Sequence, residues 1–150
     1  MVKKTNKIYS SYNLYSKFLN HFILEGKKLI VEKIVSQVFY RLSKEFNSSV
    51  SCILLYFFKR LKTYVEVKKV KKGRRTFLVP IALKRHRRAF LPLFWLSESI
   101  SLDKTRSSFF EKLYSEMYKI CLNQSCNTIY LLSKNNKQAS KNRINLHYRW

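Results

Sequence analysis

The chain has 150 residues, of which 46% are hydrophobic, and a single domain of this size can bury a core, which excludes a fully disordered basic tail. Lys and Arg number 31 against 8 Asp and Glu, and the net charge of +23 predicts a polyanionic partner (RNA, DNA or an anionic membrane surface), because such a charge repels itself unless it is neutralised. A membrane-spanning helix is excluded, since the longest apolar run, Cys52 to Phe58, is far shorter than the roughly 20 apolar residues that a span needs.

The first 13 residues form a basic segment without any acidic residue, and they contain Lys3, Lys4 and Lys7. We interpret residues 1–13 as a basic arm that contacts RNA. A transit-like segment is the alternative, since such segments are also acid-poor and Ser-rich, but the absence of Arg favours the arm. The remainder, residues 14–150, is predicted to be one helical domain.

Three helices are predicted ahead of a change in periodicity. Apolar spacings of three and four predict a first helix from Leu14 to Ile23, which Gly26 ends in a left-handed conformation. A second helix is predicted at 29–45 and a third at 50–61, and the third is apolar almost all round and is therefore expected to be central. The side chains expected to face the core are Leu14, Phe18, Phe22 and Ile23, then Ile30, Ile34, Val38 and Leu42 with Val31, Val35 and Phe39, and finally Val50, Ile53, Leu54, Phe57, Phe58 and Leu61.

A β-hairpin, here called the ribbon, is predicted at about 63–84. Alternation of apolar and polar residues at 64–70 and a β-prone stretch at 76–83 indicate two strands, and Gly73 suits the turn between them. Pro80 lacks an N–H donor, so its strand is expected to be an edge. A two-stranded ribbon is marginal alone, so helical packing at its base and RNA at its tip are expected to hold it.

The C-terminal half is predicted to be helical. A fourth helix is expected at 89–100 with Pro92 in its first turn, where proline is tolerated, and a fifth is expected to be capped by Asp103 or Thr105 and to run to about Leu122. The remaining expected features are a loop at 123–127, an ambiguous segment at 128–132 and a last helix at 137–146. The predicted fold class is therefore mainly α, a bundle of about six helices with an extended β-hairpin between helices 3 and 4.

The densest cluster of positive charge falls on the ribbon and on the segment that follows it. Its members are Lys68, Lys69, Lys71, Lys72, Arg74 and Arg75, followed by Lys84, Arg85, Arg87 and Arg88. A solvated charged loop is the ordinary alternative, but the density of charge, its presentation on a hairpin and the scarcity of acids favour RNA phosphates as the partner. Glu66 is the one acid on the first strand and is expected to pair with a nearby cation. Aromatic residues that could stack on unpaired bases are Tyr9, Tyr12, Tyr15, Tyr64, Tyr148 and Trp150.

Catalytic and metal-binding motifs are missing from the sequence. It has no Gly-rich phosphate loop, no paired acid motif and no zinc motif, so we expect no enzyme activity, no cofactor, no metal and no small-molecule substrate. The odd, irregularly spaced cysteines suit a reducing compartment, and Cys121 and Cys126 are interpreted as buried small hydrophobes, with zinc a remote alternative.

Four groups of residues, in order along the chain, resemble the motifs of a known family. They are Lys17-Phe18-Leu19-Asn20 with Gly26-Lys27-Lys28; Val65-Glu66-Val67-Lys68 with Gly73, Phe77 and Val79-Pro80; Arg87-Arg88-Ala89 with Trp95; and Ala139, Asn142 and Arg143 with His147-Tyr148-Arg149-Trp150. Over residues 14–150 the chain resembles small-subunit ribosomal protein seven of the bacterial and organellar type. It departs from the family pattern at Thr63, where proline is usual, at Arg74, where the turn has a second glycine, and at Asn145, where an aromatic residue is usual.

The resemblance implies a structural protein that binds the 3′ major (head) domain of small-subunit rRNA and organises head assembly. It implies a ribbon near the exit tRNA site and the mRNA path, beside neighbouring head and platform proteins, with no membrane partner. The rRNA-facing residues that it implies, beyond the ribbon cations and the N-terminal lysines, are Lys27, Lys28, Arg87, Arg88, Arg143 and Arg149. Tyr148 and Trp150 join the predicted RNA-binding residues as aromatic rings that could stack on bases. A bias towards amino acids of AT-rich codons, together with the Tyr-Arg-Trp ending, favours the mitochondrion, with the plastid as alternative. A basic DNA-binding or nucleoid protein is the alternative function.

Overall fold

The computed structural model describes the backbone of residues 11–149 and the side chains of residues 14–149. The helices are α1 (Ser11–Phe22), α2 (Lys28–Phe46), α3 (Val50–Arg60), α4 (Arg85–Leu102), α5 (Phe109–Cys121) and α6 (Asn127–Lys141), followed by a C-terminal 3₁₀ helix (Arg143–Tyr148). The strands are β1 (Val65–Lys72) and β2 (Arg75–Ala82), and they form one antiparallel hairpin between α3 and α4. The predicted fold class is confirmed.

The main core lies where α1, α2, α3, α4 and α5 meet. Phe18 is fully buried there, and its ring centroid lies 5.3 Å from that of Phe39 and 6.2 Å from that of Phe57, both in edge-on arrangements. The apolar faces predicted for the first three helices therefore pack inward. Ile30 is an exception, because it is 57% exposed and the buried stripe of α2 starts only at Val35. The first turn of α2 extends beyond the part of the helix that its neighbours cover.

Helix α4 begins earlier than its predicted start at Ala89. Lys84 has an extended backbone (φ −68°, ψ 156°) as the N-cap residue, and helical geometry begins at Arg85. Pro92 consequently lies inside the helix, and the prediction that it lies in the first turn is wrong. The helix continues through it because Leu91 and Trp95 on either side are buried, and this burial outweighs the hydrogen bond that proline cannot make.

The start of α5 also differs from its prediction. Ser108, and not Asp103 or Thr105, is the N-cap residue of α5. The Glu111 backbone N–H donates to the Ser108 hydroxyl over 3.3 Å, and the Ser108 backbone N–H donates to the Glu111 carboxylate over 3.1 Å, which makes a reciprocal capping box.

Replacing Ser108 by alanine is expected to lower the free energy of unfolding by about 1 kcal/mol, because the first turn of α5 loses a backbone acceptor. Urea unfolding followed by circular dichroism measures the change. Ser36→Ala serves as the control, since the Ser36 hydroxyl only donates to the carbonyl of Lys33 within α2. Equal stability of the two variants would contradict the capping role.

The end of the chain forms one helix where two separate features were predicted. Helix α6 runs without a break from Asn127 to Lys141, so the ambiguous segment at 128–132 is helical and the last helix does not begin at Lys137. Residues 143–146, predicted to complete that last helix, belong instead to the 3₁₀ helix Arg143–Tyr148. Thr128 is the one fully buried residue of α6, so the helix carries too few core positions for a clear apolar period.

The ribbon is held at its base by α6 and by the C-terminal segment. The Asn135 side-chain amide of α6 donates to the Val65 carbonyl over 2.8 Å. The Asn145 amide donates to the Leu78 carbonyl over 3.0 Å, on the outer edge of β2. The expected helical packing at the base is therefore confirmed, and part of an otherwise open strand edge is covered.

Candidate nucleic-acid interface

The strand register distributes the ribbon cations over both of its faces. Lys72 pairs with Arg75 across the two-residue turn, and Gly73 takes the positive φ of 61° that the first turn position requires. Because side chains alternate along a strand, Lys68 and Lys72 lie on one face, while Lys69 and Lys71 lie on the other. All six of the residues that we call the tip cations are exposed; they are Lys68, Lys69, Lys71, Lys72, Arg74 and Arg75.

None of the tip cations forms a salt bridge with a carboxylate among the side chains of residues 14–149, although Lys68 lies near enough to Glu66 to help lower the pKa of that carboxyl. The ion pairs of this part of the chain join Lys27 to Glu25, Arg41 to Glu45, and Arg87 to Glu66, and none of them includes a tip cation. The sequence has no acid between Glu66 and Glu98. The positive potential of the tip is therefore not compensated locally, which favours an anionic partner.

Tyr148 braces the ribbon from the C-terminal segment. Its ring stacks on Phe77 of β2 with centroids 4.6 Å apart, and the Lys72 ammonium lies 4.7 Å from the centre of the same ring. Arg149 contributes beside it, because its Nε donates to the Pro80 carbonyl over 3.2 Å. Both residues thus hold the ribbon, and their contact with RNA stays a prediction.

Glu66 joins the ribbon to the start of α4. It accepts two hydrogen bonds from the Arg87 guanidinium, from Nη2 over 2.7 Å and from Nε over 3.1 Å, so the predicted cation partner of Glu66 is confirmed. These bonds lower the pKa of the Glu66 carboxyl and raise the pKa of Arg87. The Arg87 guanidinium also lies 4.9 Å from the centre of the Phe90 ring. Arg87 therefore has a structural partner as well as its predicted role at RNA.

The first turn of α4 is suited to an anion. Lys84 makes no side-chain capping bond, and the first turn contains no acid, so its backbone N–H groups and the positive end of the helix dipole are not compensated by the helix itself. Lys84 and Arg85 are exposed at this end. Arg88 is half-buried, where its Nε donates to the Leu83 carbonyl over 3.0 Å and its guanidinium lies 4.9 Å from the centre of the Tyr64 ring.

The other predicted site residues fall into three places. Arg143 and Arg149 line a cavity of about 340 Å³ between the ribbon and α6, beside Val65 and Pro80. Lys27 and Lys28 lie at the start of α2 and not at the base of the ribbon. Helix α2 packs against α1, α3 and α5. Those outside the described residues are Lys3, Lys4, Lys7 and Trp150.

Comparison with known protein families identifies the family of the chain that carries this basic ribbon. The model of the family described as ribosomal protein S7p/S5e matches residues 1–143. The chain belongs to this S7 family. The resemblance drawn from the sequence motifs is therefore confirmed, and the S7 family is a structural family and not a family of enzymes.

Relatives in the S7 family align along most of their length. The small ribosomal subunit protein uS7m of Reclinomonas americana is 30% identical over 140 residues, which cover 92% of this chain and 86% of the relative. The small ribosomal subunit protein uS7 of Jannaschia sp. (strain CCS1) is 27% identical over 135 residues, covering 90% and 85%. That of Wigglesworthia glossinidia brevipalpis is 29% identical over 137 residues, covering 91% and 86%.

The anchors of the ribbon are the residues that sequence reasoning missed in this S7-family chain. Asn135 and Asn145 each donate to a strand carbonyl, and neither was singled out beforehand as a contact. Any strand has carbonyls, so a polar residue far along the chain carries no signal that it will bind one. The departure at Asn145, where the family has an aromatic residue, was the one available hint.

The described part of this S7-family chain has neither a metal-binding cluster nor a membrane-spanning helix. Residues 11–149 contain no group of three or more side chains that could hold a metal ion, and none of their helices is both long and apolar enough to cross a bilayer. Cys121 and Cys126 are half-buried and pack against the main core, and burial raises the pKa of the Cys121 thiol to about 11. They therefore serve as packing residues in this structure.

Replacing Glu66 by glutamine is expected to lower the free energy of unfolding by about 1–2 kcal/mol at pH 7, a range reduced from that of buried charged hydrogen bonds because Arg87 is partly exposed. Because the pKa of Glu66 is lower in the folded state, its contribution is present above the unfolded-state pKa and is lost as pH falls through the folded value. Urea unfolding between pH 7 and pH 3 should therefore show the two proteins converging at the acid end. A constant difference across that range would contradict the assignment.

Proposed function

We propose that this chain is a structural constituent of the small ribosomal subunit that binds the 3′ major (head) domain of the subunit's rRNA. The observation that carries the proposal is the ribbon tip, whose six cations cover both faces and form no salt bridge within residues 14–149. Membership of the S7 family supports the ribosomal assignment, since its relatives are named as proteins of the small subunit.

The shape of the ribbon fits irregular RNA better than a regular duplex. Each strand has 8 residues and is on the order of 26 Å long, and the exposed part lies at the turn. An RNA duplex has a major groove too narrow for side chains, so a charged ribbon reaches phosphates across junctions and loops. The head domain of rRNA is a folded polyanion of that kind, and the helical bundle holds the ribbon in one orientation against it.

We further propose that the chain organises assembly of the head and that its ribbon reaches the exit tRNA site and the mRNA path. The base of the ribbon supports the role in assembly, because Glu66–Arg87 and the two asparagine anchors hold the ribbon to the helices. The position near tRNA and mRNA follows from the family resemblance. The helical surfaces that the ribbon leaves open are available for neighbouring head and platform proteins.

We propose the mitochondrial ribosome as the location. One relative with 30% identity is a mitochondrial uS7m protein, and bacterial uS7 proteins are similarly close. The bias of this chain towards amino acids encoded by AT-rich codons adds the remaining support. We expect the chain to cosediment with the small ribosomal subunit prepared from purified mitochondria. Its recovery with plastid ribosomes would overturn this location alone.

The rRNA proposal is tested by binding to transcripts of matched length. The full chain is titrated with the 3′ major domain, the 5′ domain of the same rRNA and a DNA duplex, at a fixed salt concentration. We expect the 3′ major domain to bind at least about tenfold more tightly, a difference of about 1.4 kcal/mol. Equal affinity for all three would reject the rRNA assignment, and preference for DNA would support a nucleoid protein instead.

A further inference from the structure

A row of half-buried aromatic rings runs along one face of α5 and ends against α2. Residues four apart lie on one face of a helix, and Phe110, Tyr114 and Tyr118 follow this spacing. The ring centroids of Phe110 and Tyr114 are 6.3 Å apart with planes 8° from parallel, and those of Tyr114 and Tyr118 are 5.8 Å apart with planes at 25°. Phe46 of α2 closes the row at 5.5 Å from Tyr118.

Arg41 of α2 lies against this row and is held in place. Its guanidinium carbon is 4.3 Å from the centre of the Tyr114 ring, and its Nε donates to Glu45 over 3.4 Å. The Tyr114 hydroxyl donates to the other oxygen of the Glu45 carboxylate over 2.5 Å. Burial and the bond to Glu45 raise the pKa of Tyr114 to about 12, so the phenol keeps its proton at physiological pH. One carboxylate therefore fixes both the guanidinium and the ring beneath it.

The same arginine lines an open cavity. The cavity has a volume of about 700 Å³, within the range of roughly 300–1,000 Å³ typical of small-ligand sites. The Arg41 side chain is 54% exposed, and Tyr40 beside it is 70% exposed. The cavity is lined by Gln37, Tyr40, Arg41, Lys44, Glu45 and Phe110.

Stability alone does not account for this arrangement. An exposed ion pair of the Arg41–Glu45 kind contributes only about 0–1 kcal/mol. The exposed ring of Tyr40 gains little from burial in the free protein. A planar cation fixed on a ring, beside an open cavity, is instead the arrangement that binds a flat, polar, negatively charged ligand.

We propose that this surface of α2 and α5 binds one unpaired RNA nucleotide, whose base stacks on the Arg41 guanidinium and whose phosphate contacts Lys44. Bases stack on guanidinium planes as they do on aromatic rings, and unpaired bases are the ones available for it. Gln37 offers an amide donor and an acceptor to the edge of the base. Arg41 and Lys44 together outweigh Glu45, so the local charge favours a phosphate.

This surface is separate from the ribbon. Helix α2 packs against α1, α3 and α5, whereas the ribbon packs against α6 and the C-terminal 3₁₀ helix. The chain would thus hold RNA at two places, by phosphate contacts at the ribbon and by base stacking at α2 and α5. That the bound polymer is RNA rests on the proposed function, whereas the site itself is formed by Gln37, Arg41 and Lys44 and not by ribbon residues.

The test uses the full chain carrying Arg74→Ala and Arg75→Ala, so that tip binding is reduced. The probe is a single-stranded RNA of about ten nucleotides that contains 4-thiouridine, and the matched control is the same sequence as a duplex. Arg41→Lys keeps the charge and removes the plane, and it should weaken binding of the single strand about fivefold while leaving the duplex unchanged. Tyr114→Phe keeps the ring and removes the bond to Glu45, and it should have a smaller effect in the same direction. Ultraviolet cross-links should map to Tyr40 or Phe110.

Unchanged affinity in Arg41→Lys, with no cross-link in residues 37–45 or 109–121, would overturn the proposal. An equal loss for single strand and duplex would overturn it as well, because the effect of Arg41 would then not depend on an unpaired base. Binding of an acidic peptide in preference to RNA would assign the surface to a protein partner and also reject it. Thermal unfolding checks that each variant folds. Loss of preference for the 3′ major domain, with the cross-links intact, would reject the proposed rRNA target and leave this site standing.

Discussion

Replacing Arg74 and Arg75 by alanine is expected to weaken binding to the 3′ major domain and to flatten its dependence on salt. Each phosphate contact releases counterions and contributes about 0.7–0.9 to the slope of log K against log salt, so losing two contacts should reduce the slope by about 1.4–1.8. Both arginines are exposed at the turn and have no carboxylate partner among the described side chains, so the fold should tolerate their loss.

The matched control is Lys59→Ala with Arg60→Ala, which removes the same number of charges from the exposed end of α3. Binding is measured over roughly 0.05–0.3 M KCl, where the slope is well determined. The control should change affinity through net charge only and leave the slope nearly unaltered. An unaltered slope in the ribbon variant would mean that the tip does not touch phosphate.

Replacing Phe18 by alanine is expected to lower the free energy of unfolding by about 3–5 kcal/mol. The ring is fully buried and lies 5.1 Å from Phe22, 5.3 Å from Phe39 and 6.2 Å from Phe57, so its removal leaves a cavity shared by α1, α2 and α3. A domain of this kind has about 5–15 kcal/mol of stability in total, so the variant should be close to unfolding at 37 °C.

Two further variants make the measurement of Phe18 specific. Phe18→Leu keeps most of the volume and should cost clearly less than the alanine variant. Tyr130→Ala removes an aromatic ring that is 64% exposed and should change stability by no more than about 0.5 kcal/mol. Urea unfolding of all three gives the comparison. A cost near that of Tyr130→Ala would show that the first helix does not complete the core.

The elements that could be predicted from the sequence are those with a strong period. Phe18 and Phe22 follow helical spacing, and Val65 and Val67 alternate with polar residues, so α1 and the ribbon were both placed within a few residues. The pairing of Glu66 was predicted because a lone acid among cations rarely stays unpaired. Its choice of Arg87 could not be, because it depends on how α4 meets β1.

The errors fall where sequence signals conflict or are absent. The predicted start of α4 at Ala89 is too late, because arginine favours helices and the run of charge at 84–88 says nothing about backbone geometry. Asp103 looked like a cap, but its carboxylate accepts the backbone N–H of Thr105 in the preceding turn, which leaves Ser108 to cap α5. Helix α6 has almost no buried face, so its period is weak.

The candidate interface was predictable in composition but not in arrangement. The tip cations follow from the sequence and the register alone. The bracing of the ribbon by Tyr148 and Asn145 depends on the fold of a segment more than 60 residues away, which local patterns do not encode. The Arg41 surface was missed for the same reason, since α2 and α5 meet only in the folded chain.

Sedimentation through a density gradient, with and without prior RNase treatment, tests the central claim most directly. If the chain is a structural component of the small ribosomal subunit, it should sediment with small subunits at moderate salt and leave that position after RNase. A chain that stays with DNA after RNase and shows no peak at the small subunit would contradict the account. Flotation with anionic liposomes in the absence of RNA would contradict it equally.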